Sequence, residues 1–577
     1  MGRKNKSRQT VCSDALRSVT LLASTVVRML REDPMFFAVQ VSRKMPTPVR
    51  TGLAQVAGVF PDGSVRAALR ELADLPAQEG AYSSTFVRAL QALRGIDPGD
   101  GASPNIRARF LWNRGDLDEA INVLPEKSQL KRRYRDELSV LEGKRMIVLN
   151  KQCGVDSYQR ASNVTELKAL SDDLRVLHVL VNSSPHTASG YTVRTNAIMR
   201  GQRDSRIDAF GATRLAYPVT IGKLFSQSVD TVDGLVFHRL LPLTLPALLS
   251  QRLELHATML ADLVEETRPA IIHATTNYAN GLVAQAVANH YGIPWVYEMR
   301  GQLEKTWVSR FPQSDQKRAA ISQRYRLMHA QETALAKAAS AVVVLSEVQR
   351  QDLIERGVSE SKIFVVPNAY TPLAPRATAD ATEARRRLRI KEAFTIGTVT
   401  SVVDYEGLDT LIRAIKIARD SGADLRGVIV GDGVAKPSLC MLAEDLGVAD
   451  AIDFVGRVSV DESHQWYESF DLFALPRKNT LVTAMVTPIK PIEAMANGTP
   501  VVASDLPPLR ELVTDCGAGV TFAPDDAQAM AHAIRCLMDD AEAYATASEA
   551  AVRQAEQLTW DANIRRYRMI YQGLLGR

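Results

Sequence analysis

The chain has 577 residues, room for several domains, and its 46% apolar and 23% charged content is that of ordinary globular protein. The net charge of +5 is uneven: residues 1–50 hold ten Lys and Arg against Asp14, Glu32 and Asp33, a local +7 that leaves −2 for the rest. Cys12, Cys153, Cys440, Cys516 and Cys536 are scattered without a C-x-x-C pair, which argues against a disulfide framework or a structural zinc site and for a reducing cytosol.

Residues 1–170 read as a helical extension. Its basic arm suits an anionic surface such as lipid, or serves only as a solubilising tail. Within 14–31, Leu16, Leu21, Val26, Val27 and Leu30 roughly share a helix face, with Arg17, Arg28 and Arg31 at the edges. Such a segment either lies in a headgroup layer or packs on the following helices. No aromatic residue interleaves with the charges before Phe36, which disfavours nucleic acid as the partner. Nothing here reads as a membrane span or signal peptide, and Lys6 occupies the Ser/Thr position of a myristoylation signal. Residues 107–143 predict two antiparallel helices, and "GDLDEAINVL" resembles a tetratricopeptide turn present in a single copy. Asp116 and Asp118 look like the D-x-D of metal-dependent transferases, but two Asp at a helix start are ordinarily dipole-favoured caps.

From residue 175 the pattern changes. "VLHVLVNSS" (176–184), "AIIHATT" (270–276), "WVYEM" (295–299) and "AVVVLS" (341–346) are apolar runs separated by amphipathic helical stretches. That is the pattern of a parallel sheet covered by helices. A Pro/Ala/Arg-rich break at 371–394 precedes a second series: "TIGTVTS" (395–401), "LRGVIVGDG" (425–433), "AIDFVGRV" (451–458), "DLFALP" (471–476) and "VVAS" (501–504). The expected fold class is α/β, two Rossmann-like lobes facing across a cleft, with boundaries at 171–380 and 381–557 and a last helix over 558–577. Ligands in such sheets bind beyond the carboxyl ends of the strands.

Several candidate residues lie at those ends. "NSSPHTASGYTVRTNAIMR" (182–200) places Gly190 before an apolar helix, and "VGDGVAK" (430–436) supplies Gly431 and Gly433. Neither is G-x-G-x-x-G, so a nicotinamide fingerprint is missing, as is Walker A. The second pair reads equally as a plain tight turn. "YEMRGQLEKTW" (297–307) delivers Glu298, Arg300 and Glu304 after a strand, and "LPRKNT" (475–480) delivers Arg477 and Lys478. In "VTPIKPIEAMANGTPVVAS" (486–504), Pro491 suits the first helical position and Gly498 the position after the last turn. Lys490 and Glu493 thus sit at a helix mouth, either as a surface cation with a dipole-favoured acid or as a nucleotide diphosphate site, lysine on phosphate and carboxylate on ribose.

Residues 175–575 resemble a retaining glycosyltransferase of the GT-B fold, in the large family 4 group. The resemblance rests on the order of "NSSPHTASGYTVRTNAI", "YEMRGQLEKTW", "VVVLSEVQRQDLIERGVSESKIFVVPNAY", "VTSVVDYEGLDTLIRAI", "VIVGDGVAKPSL", "DFVGRV" and "VTPIKPIEAMANGTPVVASDLPPLRELV". "LTWDANIRRYRMIYQGLL" (558–575) is similar to the family's last helix, which crosses back to brace the first lobe. The resemblance implies that Glu493 binds the donor ribose, that Gly190 approaches the diphosphate or the transferred sugar, and that Phe454 and Val455 flank the base.

Three departures from the family pattern stand out. Met485 occupies the first position of the E-x7-E pair; Ser401 and Glu406 replace the common phosphate-binding Arg and Lys; Arg300 stands where an acceptor-side histidine is frequent. The expectation is therefore that Arg477 and Lys490, with Arg300, carry the charge of the diphosphate, with no cofactor and no metal. The expected activity is transfer of a sugar, with retention, from a nucleotide diphosphate donor, most often a uridine one, to a glycan or lipid-linked acceptor. The alternatives are a non-catalytic nucleotide-sugar-binding or scaffold protein, its extension docking partners, and a GT-B nucleotide-sugar 2-epimerase. The expected location is cytoplasmic, peripheral on the inner face of the membrane through residues 1–50.

Overall fold

The computed structural model describes residues 14, 16–29, 88–89, 91–92, 96–149, 174–223, 226–371 and 381–576. Most of the basic arm and residues 372–380 of the break between the two strand series lie outside them. The chain forms two compact units, one of Met1–Ala188, Asp208–Tyr297 and Leu303–Ala339, the other of Ser189–Ile207, Glu298–Gln302 and Ser340–Arg577.

The first unit contains β1 (Leu174–Leu180), β2 (Ile207–Thr213), β3 (Val229–Val232), β4 (Leu235–Arg239), β5 (Ile271–Thr275) and β6 (Trp295–Glu298), ordered β3-β4-β2-β1-β5-β6. β3 runs antiparallel to β4, and β2 runs parallel to β4. β1 pairs with β5 in parallel, Val176 opposite Ile271 and Val179 opposite Ala274, and both strands are buried on each face. That is why they read as unbroken apolar runs rather than alternating ones.

The extension belongs to this unit. The helices Pro104–Arg114, Leu117–Asn122 and Gln129–Leu141 form one core in which Phe110, Trp112, Tyr134 and Leu138 meet Met328, flanked by Leu303, Trp307 and Leu327. Trp112 stacks on Tyr134 at 3.9 Å, and the Arg324 guanidinium lies 4.9 Å from the Trp112 ring. The apolar face of these helices packs against the unit's own helices Leu303–Val308 and Gln323–Ala338. Asp116 and Asp118 are spent on local partners: Asp116 faces Arg114 and Arg318, and Asp118 accepts from Gln323.

Residues 16–29 are helical, but their apolar residues do not share a face as expected. Leu21 is buried against Ala216, Val219 and Leu241, whereas Leu16, Val19 and Val27 are exposed. Spacing explains this. Asp14, Ser18 and Leu21 form the inward stripe, with the Asp14 carboxylate accepting from the Ser228 N–H and hydroxyl at 2.8 Å each and Ser18 donating to the Ser226 carbonyl at 3.2 Å.

The second unit holds β7 (Ala341–Val344) paired in parallel with β8 (Ile363–Val365), and a six-stranded sheet. That sheet comprises β9 (Phe394–Val399), β10 (Leu425–Val430), β11 (Ile452–Gly456), β12 (Leu472–Leu475), β13 (Val501–Ser504) and β14 (Gly519–Phe522), ordered β11-β10-β9-β12-β13-β14. One apolar layer, including Leu411, Ile415, Ile429 and Ile534, covers one face; another, including Val428, Phe473, Ile492 and Val513, covers the other.

Residues 189–207 and 298–302 group with the later chain. A buried charge network ties them to it. Arg194 donates from Nε to Glu298 (2.8 Å), from Nη1 to the Pro367 carbonyl and Asn368, and from Nη2 to the Val366 carbonyl and the Tyr567 hydroxyl. The last helix, Trp560–Leu574, packs on the helix Gly190–Asp204, with Tyr571 accepting from Gln202 at 3.0 Å and Ile564 against Gly201. Its two tyrosines, spaced i and i+4, are fully buried.

Candidate functional site

The loops after β9, β10 and β12 meet around three charged side chains. Gly431 has φ +141°, and a Cβ there would stand 1.7 Å from the Thr400 carbonyl oxygen; one on Gly433 would stand 2.2 Å from that of Val402. The two glycines are thus required by the approach of one loop to the other, not merely by a tight turn. Their backbones continue the contact: Val402 N–H donates to the Asp432 carbonyl at 3.1 Å, and Gly431 N–H to the Gly456 carbonyl at 2.8 Å. Gly407 does the same job nearby, since a Cβ there would sit 1.8 Å from the Pro476 carbonyl oxygen.

That second approach brings together the residues that depart from the family pattern. Glu406, 6% exposed, takes a two-pronged bond from Arg477: Nε to Oε2 at 3.1 Å and Nη2 to Oε1 at 2.9 Å. The third Arg477 nitrogen, Nη1, donates to the Val486 carbonyl at 3.3 Å. Where the family places a lysine, this chain places a glutamate and supplies an arginine from the next strand end to meet it. Arg477 was expected, with Lys490, to carry the charge of the diphosphate. It is instead committed to a buried pair, and breaking such a pair strands a charge.

Lys490 is different. It opens the helix Lys490–Ala496, so Pro491 stands at the second helical position rather than the first. Its ammonium donates 2.9 Å to the Thr400 hydroxyl, its one hydrogen bond among the described residues. An ammonium has three N–H donors, so two remain unspent. Burial lowers its pKa to about 8, against the pull of Glu406 in the other direction. A cation held in this way gains from an arriving anion.

Glu493 lies three residues on, in the same helix. Burial pushes its carboxyl above the ordinary range, opposed first by the buried Tyr467 phenol and then by His464 and Lys490. Tyr467 comes from the helix Val460–Glu468, and no sequence spacing pointed to it. Phe454 and Val455 are half-buried on β11 and pack toward opposite apolar layers, leaving part of each side chain open. Gly190 opens its helix behind Ser189, whose hydroxyl accepts from Thr192 N–H while Thr192 reaches back to Ser189 N–H. A Cβ on Gly190 would meet nothing within 4 Å, so no protein contact demands a glycine there.

Arg300, expected to share the diphosphate charge, lies among protein partners. It is 5% exposed; Nη1 donates to the Tyr191 carbonyl (2.8 Å) and Thr195 (2.6 Å), and Nη2 to Glu298 (2.8 Å). Glu298 thereby joins Arg194 and Arg300, at 2.8 Å from each. Arg300 is a strut holding the start of the helix that carries Gly190. The segment at Met485 is likewise held by side chains: Gln349 donates to the Met485 carbonyl at 3.0 Å and Asn368 to that of Thr487 at 2.8 Å. Among the described residues, no group of three or more His, Cys, Asp or Glu is arranged to hold a metal ion.

Two parallel-dominated sheets carrying these loops are the layout of the GT-B fold, and comparison with known proteins agrees. Residues 189–369 match the glycosyl transferase 4-like domain and residues 380–554 the glycosyl transferases group 1. The chain belongs to the family-4-like glycosyltransferases of GT-B fold, and is an enzyme of that type. It is 27% identical over 323 residues to D-inositol 3-phosphate glycosyltransferase of Thermobispora bispora, covering 54% of this chain and 72% of that protein. Among solved structures, sucrose-phosphate synthase of Thermosynechococcus elongatus superposes with a TM-score of 0.55 at 19% identity, covering 70% of this chain and 99% of its own. Anabaena HepE in complex with UDP gives 0.54 at 18% identity, covering 69% and 100%.

Proposed function

We propose that this glycosyltransferase moves a sugar, with retention, from a nucleotide diphosphate donor, a uridine one first, to a glycan or lipid-linked acceptor in cell-surface polysaccharide or glycoconjugate synthesis. The observation that carries the reading is Lys490, a mostly buried ammonium with one hydrogen bond, to Thr400. As the bond from sugar to diphosphate breaks, negative charge grows on the leaving group. A preorganised cation in a water-poor site stabilises that charge, which is commonly the largest catalytic contribution. Lys490 takes the phosphate, Arg477 with Glu406 fixes the loop geometry around it, and Glu493 accepts from the ribose hydroxyls. No metal is needed for this division of labour. The HepE structure with UDP supports a uridine donor by analogy.

Met485, in place of the first family glutamate, favours a second reading in which the donor is bound without transfer. Peripheral attachment at the inner face of the cell membrane through residues 1–50 is part of the proposal. Leu16, Val19 and Val27 are its exposed apolar residues among those described, and no described helix is long and apolar enough to cross a membrane.

Hydrolysis of a panel of nucleotide sugars, with and without lipid extract, tests transfer against mere binding. Proton NMR of the released or transferred sugar tests retention. An α-linked donor should yield an α-linked product. Turnover with none of the donors, alongside tight UDP binding, selects the non-catalytic reading.

A further inference from the structure

The first unit contains a second group of charges, at the carboxyl ends of β1, β2 and β4, around one tyrosine. Tyr217 is fully buried; its hydroxyl donates to the Ser183 carbonyl at 2.8 Å and lies 2.7 Å from the Thr187 hydroxyl, both just after β1. Three basic side chains surround its ring: Arg239, the last residue of β4, at 5.4 Å, Arg214, the first residue after β2, at 5.7 Å, and His186, after β1, with ring centroids 6.1 Å apart.

The carboxylates do not match the cations. Asp230 takes both Arg239 Nε at 2.7 Å and His186 Nε2 at 2.8 Å. Arg239 spends its other nitrogens on the Ser183 hydroxyl (2.6 Å) and the Ser184 carbonyl (2.8 Å). Arg214 has neither. Its backbone N–H is tied to the Leu180 carbonyl at 2.8 Å, fixing it at the strand edge, yet among the described residues its guanidinium has no ion pair and its Nε is buried without a hydrogen-bond partner. Burial lowers its pKa, and the Tyr217 phenol opposes that shift. A half-buried cation without a carboxylate costs free energy unless a ligand completes it, and the carboxyl edge of a parallel sheet is where ligands bind.

We propose that Arg214, beside Tyr217, His186 and Thr187, is a binding subsite for a phosphate monoester on the acceptor. Guanidinium offers phosphate two parallel N–H bonds, and the Tyr217 ring lies 5.7 Å from the Arg214 guanidinium. The inference rests on the transferase reading only in calling the ligand an acceptor.

The test uses the full chain in two arms: calorimetric titration with inorganic phosphate, and cosedimentation with phosphatidylcholine vesicles with or without phosphatidic acid. Three proteins are compared: wild type, Arg214→Gln and Lys490→Ala. With the donor site filled by saturating UDP, the wild type should bind in at least one arm and Arg214→Gln at least about tenfold more weakly there; Lys490→Ala is read only for UDP binding. Response in the soluble arm identifies a free phosphate ester; response confined to phosphatidic acid identifies a lipid headgroup. Arg214→Gln should keep or raise the melting temperature, because it removes an uncompensated cation, and should bind UDP unchanged. Absence of wild-type binding in both arms overturns the proposal. So does a lower melting temperature in Arg214→Gln or Arg214→Lys with the phosphate response intact, which makes Arg214 a prop for Tyr217. Failure of Lys490→Ala to alter UDP binding would count against the donor site and leave this result standing.

Discussion

Arg194 and Lys490 are both cations deep in the second unit, and they differ in how their donors are used. Arg194 makes five hydrogen bonds, to Glu298, Asn368, Tyr567 and the carbonyls of Val366 and Pro367, which is every N–H a guanidinium has. Lys490 makes one of three, to a hydroxyl rather than a carboxylate. A saturated cation holds chain segments together and has nothing left for a substrate. An unsaturated one raises the free energy of the empty protein and recovers it when an anion arrives. Donor saturation, more than burial, separates these two cations.

The largest effect expected from this contrast is on folding. Arg194→Ala leaves Glu298 buried with Arg300 and the Tyr567 hydroxyl as its partners and strips four other acceptors of their donor. Loss of one member of a buried pair costs about 3–5 kcal/mol, read as a lower urea midpoint with an unchanged slope. UDP affinity of the folded fraction should stay close to wild type. A large affinity loss with normal stability would move Arg194 into the binding site.

Glu493→Gln comes next. The variant should bind inorganic diphosphate as wild type does and lose roughly 1.5–3 kcal/mol toward nucleotides, the range for a hydrogen bond to a charged group. A shift in melting temperature alone, with affinity intact, would return Glu493 to the role of a dipole-favoured helix residue. Tyr467→Phe should cost about 1 kcal/mol of UDP affinity in the same calorimetry, by releasing Glu493 from its phenol neighbour; no change would dissociate the two residues.

A gentler probe is pH. Lys490 has its folded pKa lowered to about 8 from 10.5. Below 8 it is charged in both states and its burial opposes folding. As pH rises from about 8 to 10.5, the unfolded chain holds more protons than the folded one, so this contribution to stability becomes more favourable. Phosphate affinity moves the other way, because the neutral amine has no charge to offer. UDP affinity should fall up to tenfold per pH unit above about 8, and Lys490→Arg should flatten the profile. A flat wild-type profile from pH 7 to 10 would show that the ammonium does not meet phosphate.

Much of this architecture is legible in the chain itself. Both strand series, the paired glycines at 431 and 433, the last helix and the Lys490–Glu493 helix follow from local grammar, because apolar runs, Gly and Pro report on backbone geometry within a few residues. What is not legible is which charges cancel. Arg477 and Glu406 are 71 positions apart and Arg300 and Thr195 are 105 apart, so both arginines looked available until their partners were seen. Leu16 and Leu21 stand five positions, about 140°, apart round a helix, and the burial of Asp14 and Ser18 with Leu21 shows which way it faces. Arg214 left no signal, since a single arginine after "FGAT" has no characteristic spacing.

The central claim, that Lys490 is the unspent cation for the donor diphosphate, is tested most directly by calorimetry of UDP and of uridine on wild type and Lys490→Ala. The account predicts a UDP loss of roughly 1.5–3 kcal/mol, about ten- to a hundredfold in Kd, with uridine affinity unchanged. Equal losses for both ligands, or none for either, would contradict it.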